Sequence, residues 1–224
     1  MIKTFMEGLV IPFVNVVSQD GVRFGVVQYS DDPRTEFDFS RYRNGSEVIE
    51  AIRNLAYKGG NTRTGAGLRY ATDNFYGPAI LRADIPKVVI LITDGKSQDE
   101  VDQASQRLKN LGIKIFAVGI KNADSRELTR VASTPTEDYF FYVTDFKILG
   151  TLLPLVSRKV CITTGGVYIP ESNTYRGPSN LVFSDQTADS MRIQWTAATG
   201  PVTGYKVVYG PLTGLGQQIP LELR

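Results

Sequence analysis

The chain contains no histidine and only one cysteine, Cys161, among its 224 residues. The absence of histidine excludes catalytic triads with an imidazole base and zinc sites with imidazole ligands. A single cysteine cannot form a disulfide within the chain. A lone thiol is most often a small buried side chain, although in a secreted protein an odd cysteine suggests a partner elsewhere.

An excess of charge and long apolar runs are also absent. The formal net charge is +2, which gives no electrostatic footprint for nucleic acid; nucleic-acid binding usually shows as a clustered basic face. No apolar run approaches the roughly 18 residues that a membrane span requires. The hydrophobic content of 42% and charged content of 21% are ordinary for a globular protein. We expect neither a nucleic-acid partner nor a membrane span.

Strand and helix patterns alternate along the first 160 residues. Apolar runs of strand length occupy 22–29, 88–93, 113–120 and 139–143, and "TEFDF" (35–39) alternates as an edge strand should. Helical spacing predicts helices over 1–13, 99–110, 124–133 and 145–160, the last kinked at Pro154. Two more helices are predicted between the hairpin and the strand at 88–93: one capped by Ser46, and one that follows the "GGNTRTG" loop. The alternation predicts an α/β domain over 1–161 with a doubly wound, mainly parallel sheet.

A second unit follows a segment rich in glycine, proline, serine and threonine. Residues 162–177 have this composition and are predicted to be a linker. Beyond it the period changes to two: Met191, Ile193 and Trp195 alternate with polar residues, and Tyr205, Val207 and Tyr209 occupy every second position of the next segment. We therefore predict that 178–224 is the N-terminal half of an all-β sandwich, truncated because such modules run to roughly 100 residues.

The stretch "ILITDGKSQD" ends a buried strand in a polar loop. A phosphate-binding loop is excluded, because the glycine that must stand five residues before Gly95 is replaced by Ile90. A carboxylate at the end of a strand can instead bind a hard cation such as Mg²⁺. Asp94 and a threonine of "GGNTRTG", Thr62 or Thr64, are the candidate ligands, and helix caps and turns are the alternative.

Three motifs carry a family resemblance: "YKGGNTRTG", "PKVVILITDGKSQD" and "FAVGIKNAD", in that order and spacing. They resemble the von Willebrand factor A domain of fibrillar-associated and related collagens. "TLLPLVSRKVC" and "QWTAATGPVTGYKVVY" resemble more narrowly the N-terminal non-collagenous region of the type VII collagens, where an A domain leads into fibronectin type III modules. The resemblance implies a secreted matrix protein with an adhesive A domain rather than an enzyme.

The resemblance also implies a cation site, which in this family takes an Asp-x-Ser-x-Ser loop, a threonine and an aspartate. The threonine corresponds to Thr62 and the aspartate to Asp94. The loop, its strand and the cysteine expected to pair with Cys161 have no counterpart in this sequence. We therefore expect no cation as the chain stands and Mg²⁺ or Mn²⁺ only in a longer form, and we interpret Met1 as an internal methionine.

The absent strand is the central one in the doubly wound order. We expect its absence to leave two half-sheets with unpaired edges and a fold of low stability.

Three functions remain open. The leading hypothesis is an extracellular module that binds matrix proteins, of the collagen, laminin or fibronectin type, and anchors basement membrane to connective tissue. A structural spacer without a ligand at this face is the alternative. A Mg²⁺-dependent hydrolase using Asp94 is a remote third, because the motifs provide no second acid or base. Trimerisation would come from collagenous regions outside this chain, since it contains no Gly-X-Y repeat.

The sequence also contains a glycosylation sequon, Asn44-Gly45-Ser46, on a predicted exposed loop. In a secreted protein we expect a glycan at Asn44, and a plain turn capped by Ser46 is the alternative.

Overall fold

The computed structural model describes residues 1–77, 85–165, 179–185, 187, 190–196, 206–209 and 219–222. The chain divides into two compact units, Met1–Pro170 and Glu171–Arg224. Most of the predicted linker, residues 166–177, lies outside the described residues. None of the described helices is long and apolar enough to cross a membrane.

The first unit alternates helices and strands, as the sequence predicts. Its elements in chain order are α1 (Ile2–Val10), a 3₁₀ helix (Ile11–Val16), β1 (Val26–Gln28), β2 (Arg34–Phe37), α2 (Gly45–Arg53), α3 (Thr64–Phe75), β3 (Val88–Thr93), α4 (Asp102–Asn110), β4 (Lys114–Ile120), α5 (Ser125–Val131), α6 (Thr136–Tyr139), β5 (Phe140–Val143), a second 3₁₀ helix (Phe146–Leu152) and α7 (Leu153–Thr163).

The strands of the first unit form two separate sheets. β1 pairs with β2 as an antiparallel hairpin. β3, β4 and β5 form a parallel sheet in that order, with Val88 opposite Lys114 and Ala117 opposite Phe140. No ladder joins β1 to β3 within the described part of the chain. The predicted α/β fold and the predicted division into two half-sheets are confirmed.

The core lies around β4, which helices cover on both faces. Its residues from Ile115 to Val118 are 0% exposed, and Leu108 of α4, Leu128 of α5 and Val156 of α7 belong to the same buried cluster. β3 is different, since four of its six residues are only partly buried. A strand buried on both faces and paired on both edges loses its solvent contact, so the exposure of β3 follows from its single neighbouring strand.

Two predicted helices differ from the observed ones at prolines. Residues 145–160 do not form one helix kinked at Pro154; a 3₁₀ helix ends at Leu152, and Pro154 lies in the first turn of α7. Proline is tolerated there because the first helical N–H groups have no partner within the helix. Near the N-terminus, α1 likewise ends at Val10, and Pro12 lies in the first turn of the following 3₁₀ helix.

Two further predictions were wrong in their bounds. Asn44, not Ser46, caps α2, because its side chain accepts a hydrogen bond from the Glu47 amide at 2.9 Å. Asparagine caps helices as well as serine does. The strand predicted over 22–29 is shorter, Val26–Gln28, because Val22 instead makes an isolated bridge with Val17.

The second unit contains only strands among its described residues. They are β6 (Ser179–Ser184), β7 (Arg192–Thr196), β8 (Lys206–Tyr209) and β9 (Ile219–Glu222). β6 pairs with β7 and β8 with β9, both antiparallel. Ile193 and Trp195 of β7 are partly buried between exposed neighbours, which confirms the predicted alternation.

Candidate functional site

The loops that follow β3 and β4 meet at one edge of the parallel sheet. Asp94 directly follows β3, and residues 121–124 directly follow β4. An ion pair of 3.1 Å between Lys96 Nζ and Asp124 Oδ2 joins the two loops. Ligands of open α/β sheets bind at this carboxyl edge, so the face has the position expected of a binding site.

The two predicted cation ligands, Thr62 and Asp94, are brought to the same place. The Thr62 carbonyl accepts a hydrogen bond from the Gln98 amide at 2.8 Å. A Cβ added to Gly95 would lie 2.8 Å from Thr62 Oγ1, so this close approach depends on glycine next to Asp94. The Asp94 carboxylate is exposed and receives no hydrogen bond from any described residue.

Asp99, which the sequence analysis did not single out, connects the two loops. Its carboxylate accepts hydrogen bonds from the Gly65 and Ala66 amides at 2.8 and 2.7 Å, and from Ser97 Oγ at 2.7 Å. Arg69 donates to it at 2.9 Å. The amides belong to the first turn of α3, whose own N-cap provides no side-chain bond. Asp99 therefore caps α3 from 34 residues away in sequence.

These contacts also set the protonation of Asp99. Partial burial of the carboxylate raises its pKa, but the hydrogen bonds from Ser97, Gly65 and Ala66 and the charge of Arg69 outweigh burial and hold the pKa below its usual range. Asp99 is thus a carboxylate at neutral pH and is fully occupied by protein donors.

Glu127 and Asp124 of the neighbouring loop are also engaged by the protein. Glu127 is 6% exposed and accepts a hydrogen bond from the Ser97 amide at 3.1 Å. Burial raises the pKa of Glu127. Asp124 caps α5, and hydrogen bonds from the Glu127 amide and from Lys96 lower its pKa.

The described residues do not form a complete cation site. They offer the Thr62 hydroxyl and the Asp94 carboxylate, whereas the three carboxylates nearby are bonded to protein donors. No group of three or more histidine, cysteine, aspartate or glutamate side chains in the described ranges could hold a metal ion. Mg²⁺ prefers near-octahedral coordination by oxygen and usually keeps several waters, so Thr62 and Asp94 would supply only two of its ligands. The Thr62–Asp94 metal site stays a prediction.

The other two predicted site residues lie away from this face on their own elements. Cys161 is a buried free thiol on α7, and burial raises its pKa. The thiolate is therefore disfavoured, which argues against a nucleophilic role. Asn44 is exposed, and only its Oδ1 is used in capping α2. The disulfide of Cys161 and the glycan of Asn44 stay predictions.

Family models match both parts of the chain. Residues 1–154 match the von Willebrand factor type A domain, and residues 176–222 match the fibronectin type III domain.

Matrix proteins are among the relatives. The chain is 38% identical to the collagen alpha-1(XII) chain of Notophthalmus viridescens, over 96% of this chain and 22% of that one. It is 40% identical to the human collagen alpha-1(XX) chain, over 93% of this chain and 17% of that one. It is 39% identical to human matrilin-1, over 65% of this chain and 30% of that one. The chain thus spans about a fifth of the length of these collagens, and the narrower resemblance to type VII collagens stays a prediction.

Solved structures show the same fold. Proximal thread matrix protein 1 from the mussel byssus superposes with a TM-score of 0.67 at 31% identity, over 71% of this chain and 42% of that one. A second structure of it, with a zinc-occupied MIDAS motif, gives 0.66 at 32% identity over the same shares. The strand order, the family models and these relatives agree: the chain belongs to the von Willebrand factor type A domain family and continues into a fibronectin type III domain.

Proposed function

We propose that this chain is an extracellular adhesion module that binds other matrix proteins through its carboxyl-edge face, defined as residues 57–62, 94–99 and 121–124. The observation that carries the proposal is the relationship to the type XII and XX collagens, which covers 93–96% of this chain. A relationship of this extent includes both the A domain and the fibronectin type III part.

The chemistry of the carboxyl-edge face suits recognition of a polypeptide. Asp94 and Lys96 are exposed charges of opposite sign on one loop. Tyr57, in the loop that leads to Thr62, is 92% exposed. Tyrosine is enriched at protein interfaces, where it supplies contact area and a hydrogen-bonding hydroxyl. An exposed aromatic ring and exposed charges of both signs are side chains that can provide affinity and specificity at a protein interface.

Contacts between protein groups join the loops of the carboxyl-edge face. Asp99 attaches the Thr62 loop to the Asp94 loop, and the Lys96–Asp124 pair attaches the next loop. In this chain we therefore expect partner binding without a divalent cation, and Mg²⁺ or Mn²⁺ dependence only in a longer form with further ligands. The same reasoning favours an adhesion module over a Mg²⁺-dependent hydrolase.

Partners of the collagen, laminin or fibronectin type, secretion, and a place at the basement membrane complete the proposal. They rest on the resemblance and on the matrix relatives. Assembly into trimers is assigned to collagenous regions outside this chain.

Binding of the chain to immobilised fibrillar collagen, laminin and fibronectin by surface plasmon resonance tests the proposal. Asp94→Ala should weaken binding about tenfold, because an interfacial charge contact contributes about 1–2 kcal/mol. Glu137→Ala is the matched control, an exposed acid on α6 at the opposite edge of the sheet. Chelator should leave binding unchanged.

Three results would overturn the proposal. Equal losses in Asp94→Ala and Glu137→Ala would place the binding surface elsewhere. Binding to none of the three proteins would favour the structural spacer. Mg²⁺-dependent turnover of a phosphate ester that Asp94→Ala abolishes would favour the hydrolase.

A further inference from the structure

A groove of about 330 Å³ lies between the β1–β2 hairpin and α2. Side chains of β2, of the turn that follows it and of α2 with its C-terminal end line this groove. We call it the hairpin groove and define it by Glu36, Phe37, Tyr42, Glu47, Glu50 and Leu55. It shares no residue with the carboxyl-edge face, so the two are separate surfaces.

The floor of the hairpin groove is apolar and aromatic. Phe37 is 5% exposed and belongs to a buried cluster with Val48 and Ile52 of α2. The Tyr42 ring packs edge-on against Phe37, with ring centroids 5.1 Å apart. Leu55 packs against the same cluster. The Tyr42 ring is therefore held in position by protein contacts before any ligand binds.

The walls of the groove carry negative charge. Three carboxylates line it, and no lysine or arginine is among its lining residues. Glu47 and Glu50 are exposed and lie three residues apart on α2, a spacing that makes two side chains neighbours on one helix face. Neither carboxylate has an ion-pair partner within the described part of the chain. Because like charges on such neighbours repel each other, a cation between them would remove an unfavourable interaction.

The chain's own arginines indicate which cation suits this groove. Arg34 donates through Nε to Glu36 at 2.6 Å, and the Glu36 side chain is only 15% exposed. The Arg41 guanidinium lies 5.7 Å from the centroid of the Tyr42 ring, within the range of a cation–π contact. Neither arginine lines the groove itself. One carboxylate and one ring of the groove thus already bind guanidinium groups, and its other two carboxylates bind none.

We propose that the hairpin groove binds an arginine side chain of a partner polypeptide. The guanidinium would lie against the Tyr42 ring and donate to Glu47 and Glu50, and the aliphatic stem would pack on Leu55. Arginine is preferred to lysine, because its planar group stacks on aromatic rings and donates to carboxylates from a fixed fork. A polypeptide is the source, since one side chain binds only weakly and flanking residues must add contacts.

The test follows the full, isotope-labelled chain by NMR as the synthetic peptide acetyl-Gly-Arg-Gly-amide is added. The peptide should shift the backbone amides of Glu47, Glu50 and Ala51 with a Kd of about 1–10 mM, because a single side chain makes few contacts. The same peptide with citrulline in place of arginine keeps the planar group without its charge. It should bind at least about fivefold more weakly, and a lysine peptide at least about twofold more weakly.

Substitutions in the chain identify the groups that bind. Glu50→Gln should weaken binding of the arginine peptide about threefold, the size expected of one exposed ion pair. The Glu50 side chain is exposed, so its Tm should stay that of wild type. Tyr42→Phe keeps the aromatic face and should bind as wild type does. Glu137→Gln is the matched control, because it removes an exposed acid from α6, and it should leave binding unchanged.

Several outcomes would overturn the proposal. Equal binding of the arginine and citrulline peptides would show that the groove does not recognise charge, and tighter binding of the lysine peptide would remove the preference for a guanidinium. Equal effects of Glu50→Gln and Glu137→Gln, or amide shifts confined to 94–99 and 121–124, would place the peptide elsewhere. The absence of any shift would show that the groove accepts no guanidinium. Groove amides that shift with chain concentration, without peptide, would assign the groove to a second copy of this chain.

Discussion

Replacing Asp99 by asparagine should destabilise the A domain by about 2–3 kcal/mol, because hydrogen bonds to a charged group contribute about 1.5–3 kcal/mol each. The carboxylate accepts two amides of α3 and one hydroxyl at 2.7–2.8 Å. Asparagine keeps one acceptor but turns an NH₂ group toward one of these donors. The bond to Arg69 adds little, since that side chain is 46% exposed.

Thermal unfolding monitored by circular dichroism measures this loss. At about 2–4 °C per kcal/mol for a domain of this size, the midpoint should fall by about 4–12 °C. Asp102→Asn is the matched control, because Asp102 and its partner Arg130 are both 56% exposed. Such a pair contributes about 0–1 kcal/mol.

The pH dependence provides a second check on Asp99. Because its folded-state pKa is lowered, its stabilising contribution is present above the ordinary aspartate value of about 4 and is lost as the pH falls through the folded-state value. The difference between the wild-type chain and Asp99→Asn should therefore shrink in acid. A difference that persists unchanged there, or an effect no larger than that of Asp102→Asn, would refute the role of Asp99.

Four other predictions concern stability and modification. Because the pKa of Glu127 is raised in the folded state, its favourable contribution to folding stability is lost as the pH rises from about 4 through the folded-state pKa. In thermal melts, the midpoint of Glu127→Gln relative to that of wild type should therefore be higher at pH 7 than at pH 4. A relative midpoint that is lower at pH 7 would contradict this. Gly65→Ala should cost roughly 1–3 kcal/mol, since its Cβ would lie 1.9 Å from the Glu100 carbonyl, whereas Gly150→Ala has no atom within 4 Å and should be nearly neutral in denaturant titrations. Chain secreted from animal cells should carry a glycosidase-sensitive mass at Asn44, and an unmodified peptide would dismiss the glycan. The chain should melt at low temperature, and Mg²⁺ should not shift the transition. A midpoint typical of a stable domain would contradict the first statement, and a midpoint raised by Mg²⁺ would contradict the second.

The sheet could be predicted because its signal is local. β3 begins and ends where the apolar run does, at Val88 and Thr93. The edge strand β2, Arg34–Phe37, overlaps the alternating segment 35–39 and begins one residue before it. The position of Asp94 could be predicted from the same apolar run. The run ends at Thr93, so Asp94 lies at the carboxyl edge of the parallel sheet, where ligands of such sheets bind.

The contacts that hold the candidate site could not be predicted in the same way. Asp99 and Gly65 are 34 residues apart, and nothing in the local pattern of either indicates the other. A signal did exist, because α3 begins after Arg63, which cannot cap it, so a cap had to come from elsewhere. Glu127 gave no signal, since its burial results from packing of α5 against the loop that carries Ser97.

Hydrogen–deuterium exchange of the full chain bound to whichever of fibrillar collagen, laminin or fibronectin it captures tests the adhesion account most directly. Mass spectrometry would compare peptides from the carboxyl-edge face with peptides from the opposite edge of the sheet. The account predicts slower exchange in 57–65, 94–99 and 121–125, and no change in 133–139. Protection confined to 133–139 or to 179–222, in a complex that forms, would contradict it.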